Sequence, residues 1–380
     1  MGCERPTPHG LQPYDASRIE ERKTALSSES DRHPLTPLPP QPGDVPWPTD
    51  HWPRAELDTR VDRDLLDSTL DHAFAQPESL GTTNAVLIVQ RGAIVAERYA
   101  DGLDATTTHV SWSMAKSMLQ AIIGILAREG HIDVTAAADD PAWRARGDPR
   151  GSITIDQLLK MRSGLLFNED YVDAGASHVI EMLFGEGKPD AAAYAAALPL
   201  EREPGSVFSY SSGTSNILSA VVARVLEARG DVYREFLRRE LWGPLGMKSA
   251  DPRFDEAGHW IASSFVFATA QDFARFGLLY LRDGVWAGRR ILPEGWVDYA
   301  RTHTGTDDET GFGYGAHWWL VPGGLGIFRC SGYNGQRIII VPPLDLVVVR
   351  LGVSPVELAP ELERFSKQVI DAFRPLLDRS

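Results

Sequence analysis

The sequence predicts an α/β fold in which a sheet is completed by the C-terminal segment and a mainly helical insertion packs against it. Three observations carry this. Apolar, β-branched runs stand near residues 84–99 and again near 336–351, helical periodicity dominates the stretch between them, and an amphipathic helix closes the chain.

The chain opens on an extension, residues 1–56, whose segment Pro34 to Pro53 is dense in proline. Proline lacks a backbone donor and favours extended backbone, so this tail builds no core of its own and is expected to wrap the body. Trp47 and Trp52 are its candidate anchors, since an aromatic in a polar tail packs on something. Asn84 to Gln90 and Ala93 to Tyr99 then read as strands of a β-hairpin turning at Arg91-Gly92. From Ser113 to Arg128, apolar residues cover most of a helical circumference, which predicts a central, buried helix ended by Gly130.

Thr154-Ile-Asp-Gln157 has capping-box spacing and opens a short helix that stops at Ser163-Gly164. Asn216 to Glu227 is amphipathic. Thr269-Ala-Gln-Asp272 is a second capping-box match, starting a helix through Phe273, Phe276, Leu279 and Leu281 to about Gly284. Gln336–Val341 and Leu346–Leu351 read as strands joined by the turn Pro342-Pro343-Leu344-Asp345, and Leu362, Phe365, Val369, Ile370 and Phe373 form the stripe of the last helix. No internal repeat is visible.

Composition narrows the function. The 380 residues carry a formal charge of −14, with no window of Lys and Arg dense enough to track a phosphate backbone, so nucleic acid is not an expected partner. The two cysteines are Cys3 in the tail and Cys330 in a strand-like run, which argues against a disulfide framework and for a reducing, cytoplasmic setting. The N-terminus lacks the basic start and apolar core of a signal peptide, and the run Ala121 to Ala127 is too short to span a bilayer. Gly2 suggests myristoylation, but Pro6 stands where that motif needs Ser or Thr. No His-Glu-x-x-His, Cys-x-x-Cys or Gly-x-Ser-x-Gly occurs, so neither zinc hydrolysis nor the nucleophile-elbow route has support, and no metal or other cofactor is expected.

The sharpest chemical feature is Ser113-Met-Ala-Lys116 at the start of the buried helix. Three residues is nearly one turn, so hydroxyl and ammonium share a face. A serine needs a base to become a nucleophile. Burial and the helix's positive end both lower a lysine toward that task, and first-turn amides can hold an oxyanion. The spacing alone is common by chance, but the chain has only six lysines, and this one sits where an apolar helix ordinarily excludes charge. Tyr210, in Phe208-Ser-Tyr210-Ser-Ser212, stands on a loop before a helix and can point its hydroxyl into a cleft, where a nearby ammonium favours its phenolate. By itself a lone tyrosine is more often core. In Cys330-Ser331-Gly332-Tyr333-Asn334-Gly335-Gln336, the glycines allow a strand edge to approach a ligand closely, or simply form a tight turn.

Together with Lys160-Met-Arg-Ser-Gly-Leu165, Pro244-Leu-Gly-Met247, Ser264 to Asp272 and Tyr314-Gly-Ala-His-Trp-Trp319, these segments resemble the β-lactamase-related serine hydrolases over roughly residues 45–375. That group includes penicillin-binding proteins, class C β-lactamases, esterases and 6-aminohexanoate-dimer hydrolases. The resemblance implies a serine β-lactamase-like α/β fold with an antiparallel sheet. Its α/β part would cover about 57–135 and 310–380, its mainly helical part about 136–309. It also implies Ser113 as acyl-enzyme nucleophile, Lys116 as proton acceptor and Tyr210 as relay to the leaving group. The backbone amides of Ser113 and Tyr333 would form the oxyanion hole, supported by Ser331 and Gly332, and Ser212 replaces the Asn of many relatives.

Where lactam-recognising relatives have a cation, this chain has Cys330, which disfavours β-lactamase and D-alanyl-D-alanine peptidase activity unless Arg329 or Arg337 substitutes. The stretch Asn168 to Asp173 resembles the 6-aminohexanoate-dimer hydrolases, implying Tyr171 as a cover over a bound amide and Asp173 as a partner for a substrate ammonium. Trp112, Trp318 and Trp319 are candidate walls of an apolar acyl pocket. The expected activity is cleavage of a small, linear ester or amide without a membrane partner. A covalent sensor or binding protein on the same fold is the alternative from another class.

Overall fold

The computed structural model describes residues 19–24, 35–171, 173 and 175–378. Its five longest helices are α1 (Arg63–Ala75), α2 (Met114–Arg128), α3 (Ser212–Val225), α4 (Ala270–Leu281) and α5 (Ala359–Phe373). The main sheet comprises β1 (Thr82–Gln90), β2 (Ala93–Tyr99), β3 (Gly305–Thr306), β4 (Gly313–Tyr314), β5 (Trp319–Val321), β6 (Ile327–Gly332), β7 (Gln336–Val341) and β8 (Leu346–Val353), antiparallel throughout in the order β2-β1-β8-β7-β6-β5-β4-β3. The first and last strands of the sheet in chain order, β1 and β8, pair with each other. This is the α/β architecture with flanking helices that the sequence predicts.

The hairpin turns where expected, Gln90 facing Ala93 across Arg91 (φ 54°) and Gly92 (φ 81°). Two successive positive φ values match the right-handed twist of the strands. Side-chain alternation then divides the apolar runs between two cores. Leu87, Val89, Ile338, Ile340, Val347 and Val349 face α2 and α4, whereas Val86, Ile88, Ile339, Val341, Leu346 and Val348 pack under α1 and α5. Helices on both sides explain why these strands read as nearly continuous apolar sequence.

Both arms of the Thr154–Gln157 capping box form, at 3.1 and 3.0 Å. Its helix stops at Leu159, earlier than Ser163-Gly164, because Met161 takes φ 57°. At Thr269 only one arm forms: the hydroxyl accepts the Asp272 amide, while the Asp272 carboxylate takes Ser249 and Arg275 instead. α3 begins at Ser212, four residues before the predicted start, because Ser211 caps Thr214 and a first turn of small polar residues is buried.

The described part of the extension lies on the body. Trp52 is buried and donates to Gln271 O, Trp47 packs tilted against Trp286 at 5.1 Å between ring centroids, and Arg275, Arg282 and Arg301 donate to the carbonyls of Pro48, Pro39 and Thr36. Cys330 is a buried free thiol; Cys3 lies outside the described residues. Among the described residues no helix is long and apolar enough to cross a membrane.

Candidate active site

The turn carrying Ser113 is built before α2 begins. Ser111 donates its amide to Val266 O at 2.8 Å and its hydroxyl to Ser264 O at 3.1 Å, fixing the turn to a small sheet of Thr108–Val110, Val266–Thr269 and Asp251–Pro252. Trp112 is held at φ 44°, a conformation that costs a non-glycine residue energy and tends to mark functional turns. Ser113 follows at the helix N-cap, where its hydroxyl caps no backbone amide.

Lys116, one turn on, is 1% exposed, and its Nζ donates to Ser113 Oγ (2.9 Å), Ser212 Oγ (2.9 Å) and the Ser263 carbonyl (2.8 Å). Three acceptors use all three ammonium protons. Burial draws its pKa down from 10.5 to about 8, against the opposing pull of Glu169. Asn216 Oδ1 accepts the Ser263 amide at 3.1 Å, which aims that carbonyl at the ammonium.

Tyr210 lies beside Ser113 and Lys116, whose Nζ is 5.0 Å from its ring centroid. The expectation that the lysine favours a phenolate is corrected here. Burial and the Glu169 charge push the phenol well above its usual 10, so Tyr210 is a neutral donor. Glu169, which the sequence did not single out, is the hub of this side. Its carboxylate accepts from Ser212 N (2.7 Å), Ser212 Oγ (2.5 Å) and Tyr171 Oη (2.5 Å). Ser212 therefore bridges Lys116 to Glu169. The only sequence signal for Glu169 is an acid two residues before Tyr171 in a loop that reads as solvated.

β6 supplies the opposite wall. A Cβ on Gly332 would lie 2.4 Å from Ser111 O and 3.1 Å from Trp112 Cβ, so the glycine admits the turn carrying Ser113 rather than a ligand. Tyr333 follows, 41% exposed, stacked on Tyr171 (5.1 Å between centroids) and edge-on to Trp112 (5.6 Å). Register places Ser331 opposite Arg337, on the face turned from Ser113, which removes its hydroxyl from a direct supporting role. Arg329 and Arg337 are both paired with Glu363 of α5 (2.7 and 2.6 Å), so neither supplies the cation missing at Cys330. Cys330 itself is buried, on the face of β6 toward α2.

The tryptophans divide. Trp112 packs on Phe265 (5.5 Å), and Trp319 lies against Tyr210 (5.2 Å) and Tyr314 (4.9 Å), both lining the site. Trp318, one strand position away, is fully buried against Tyr280, Phe276 and Phe328 and is core, not pocket wall. Asp173 is exposed, and its carboxylate accepts the Gly175 amide. Beyond Phe265 lies an open cavity of about 310 Å³ lined by Leu183, Phe184, Lys188, Arg253, Ile261 and Phe267.

A serine held against a buried lysine at a helix start, beside a tyrosine and a strand edge, fits a hydrolase of the β-lactamase and esterase type. The chain belongs to the Beta-lactamase family, whose model matches residues 74–364. Among curated proteins it is 29% identical over 290 residues to the 6-aminohexanoate-dimer hydrolase of Paenarthrobacter ureafaciens, covering 72% of this chain and 73% of that one. Among solved structures it is similar to a putative 6-aminohexanoate-dimer hydrolase from Bacillus anthracis (TM-score 0.68, 22% identity, 98% and 99% of the two chains). It is also similar to a family VIII carboxylesterase (TM-score 0.65, 16% identity, 84% and 99%).

Proposed function

We propose that the protein cleaves an ester or amide of a small, linear substrate through an acyl-enzyme on Ser113. The observation that carries this is the 2.9 Å contact between Ser113 Oγ and a buried lysine whose pKa is drawn down to about 8. A fraction of Lys116 is then neutral near pH 7 to 8, and in that form the contact reverses, with Ser113 donating. Lys116 takes the Ser113 proton as Oγ bonds to the substrate carbonyl carbon. The amides of Ser113 and Tyr333 receive the oxyanion, and Tyr210 passes a proton to the departing alcohol or amine as its bond to carbon breaks. Water then attacks the acyl carbonyl, giving one proton to the same basic pair, and the acid leaves with Ser113 restored.

The aromatic walls formed by Trp112, Tyr171, Tyr333 and Trp319 suit an unbranched chain, and the name of the Paenarthrobacter relative supports a linear amide. Engagement of Arg329 and Arg337 by Glu363 argues against recognition of the carboxylate of a lactam or D-alanyl peptide at β6. We place the activity in the cytoplasm, consistent with so few cysteines.

The test is a panel of p-nitrophenyl short-chain esters, 6-aminohexanoate dimer and nitrocefin, with wild type and Lys116→Ala. Ester or amide turnover that vanishes in the variant, with nitrocefin intact, supports the reading. Cleavage of nitrocefin alone would replace it with a lactamase.

A further inference from the structure

Away from Ser113, Asp190, Asp255 and His259 present three donor atoms within 4.8 Å of one another. Asp190 precedes the helix Ala191–Ala197, and Asp255 and His259 lie on the loop after Asp251–Pro252. His259 Nδ1 is 3.4 Å from Asp190 Oδ1 and 4.0 Å from Asp255 Oδ2. The His259 residue is 94% buried, yet among the described residues neither ring nitrogen has a hydrogen-bond partner. An imidazole ordinarily does not aim a buried nitrogen between two carboxylates without bonding to either.

We infer that these three side chains form a binding site for a divalent transition-metal ion of the zinc or manganese type. The spacing fits: ligand atoms about 2.1 Å from a tetrahedral ion lie about 3.4 Å apart, the His259–Asp190 separation, and the other two pairs, His259–Asp255 at 4.0 Å and Asp190–Asp255 within 4.8 Å, close by side-chain rotation. An imidazole with two carboxylates selects such ions over magnesium or calcium, which prefer all-oxygen shells.

Both carboxylates are already oriented. Asp190 Oδ1 accepts the Ala193 amide at 2.9 Å, Asp255 Oδ2 accepts the Ala191 amide at 3.1 Å, and Asp255 Oδ1 accepts the His259 amide at 2.8 Å. Each oxygen keeps a lone pair for an ion, and such backbone bonds are how proteins fix metal-ligating carboxylates. Entry is available through Asp190, whose side chain is 35% exposed, while that of Asp255 is 1% exposed. Arg229 acts electrostatically on Asp190, and its guanidinium donates to Ala257 O at 2.7 Å.

An ion here would pin the loop carrying Asp255 to the helix beginning at Ala191. The same loop leads through Ile261 to Ser263, whose carbonyl holds Lys116. The site is thus a structural clamp on one wall of the active site, independent of how Ser113 reacts.

The experiment is isothermal titration of Zn²⁺ and Mn²⁺ into the chelator-treated full chain, with thermal melting in parallel. Wild type, Asp190→Asn and His259→Gln are compared. Asn at 190 retains a side-chain oxygen for the Ala193 amide, so that variant keeps its helix cap and folds. The expected result is one ion per chain, a raised Tm with the ion, and affinity weakened about tenfold or more in both variants. Absence of stoichiometric binding by wild type would overturn the site, as would equal affinity in folded Asp190→Asn.

Discussion

Replacing Glu169 by Gln tests the electrostatics of the site, because the substitution removes one charge while keeping an oxygen for Ser212. Through the shared Ser212 hydroxyl, the carboxylate and the Lys116 ammonium lie about 5 Å apart, where a unit pair is worth about 1 kcal/mol in water-like surroundings and about 3 kcal/mol at an effective dielectric near 20. Glu169 favours the protonated lysine, so its loss lowers the Lys116 pKa, by about 0.6 to 2.4 pH units on those energies. Only neutral Lys116 accepts the Ser113 proton. Activity in wild type therefore rises with pH through about 8, and in Glu169→Gln the same rise moves down to a midpoint between about 5.6 and 7.4. The assay is kcat/KM for a p-nitrophenyl ester between pH 5 and 10. A rise that stays in place, or moves to higher pH, would refute Lys116 as the base coupled to Glu169.

Three further substitutions follow from the geometry. Tyr210→Phe removes the hydroxyl proposed to relay the proton beside Ser113 and is expected to lower kcat by about 10²- to 10⁴-fold with little change in Tm, read by steady-state kinetics beside thermal melting. Gly332→Ala places a methyl 2.4 Å from Ser111 O at an ordinary φ of −124°, so steric displacement of β6 alone should cost about 1–3 kcal/mol in denaturant unfolding and depress esterase activity. Glu363 is held at about 2, burial being outweighed by Arg329 and Arg337. Its folded pKa lies below the unfolded 4.5, so its contribution of about 3 kcal/mol is complete above pH 4.5 and lost as pH falls toward 2. In Glu363→Gln that part of the acid dependence disappears, and the protein is less stable at pH 7 because two guanidiniums lose their buried partner.

Much of this was legible in sequence because local rules and tertiary context agree. Arg91-Gly92 turns a hairpin by its own φ preferences, and the apolar circumference of α2 predicts its central place. Ser113, Lys116 and Tyr210 are visible as motifs, and the fold brings them together, Lys116 bonded to Ser113 and packed against the Tyr210 ring. What escaped depends on partners distant in sequence. The start of α3 at Ser212 reads as loop, since Ser, Gly and Thr favour helix interiors only where packing overrides propensity. Asp272 has the spacing of a capping-box acid, but Ser249 and Arg275 compete for its short side chain. Trp318 and Trp319 are equivalent in composition and are separated only by strand alternation. Glu169 acquires meaning from Ser212, 43 residues on.

The most direct test of the central claim is covalent capture. The protein is mixed with a slowly deacylating p-nitrophenyl ester, the release of p-nitrophenol is followed by stopped flow, and the quenched protein is mapped by mass spectrometry. The account predicts a burst of about one equivalent and an acyl group on the peptide bearing Ser113, both absent in Ser113→Ala. An undiminished burst and turnover in Ser113→Ala would contradict it.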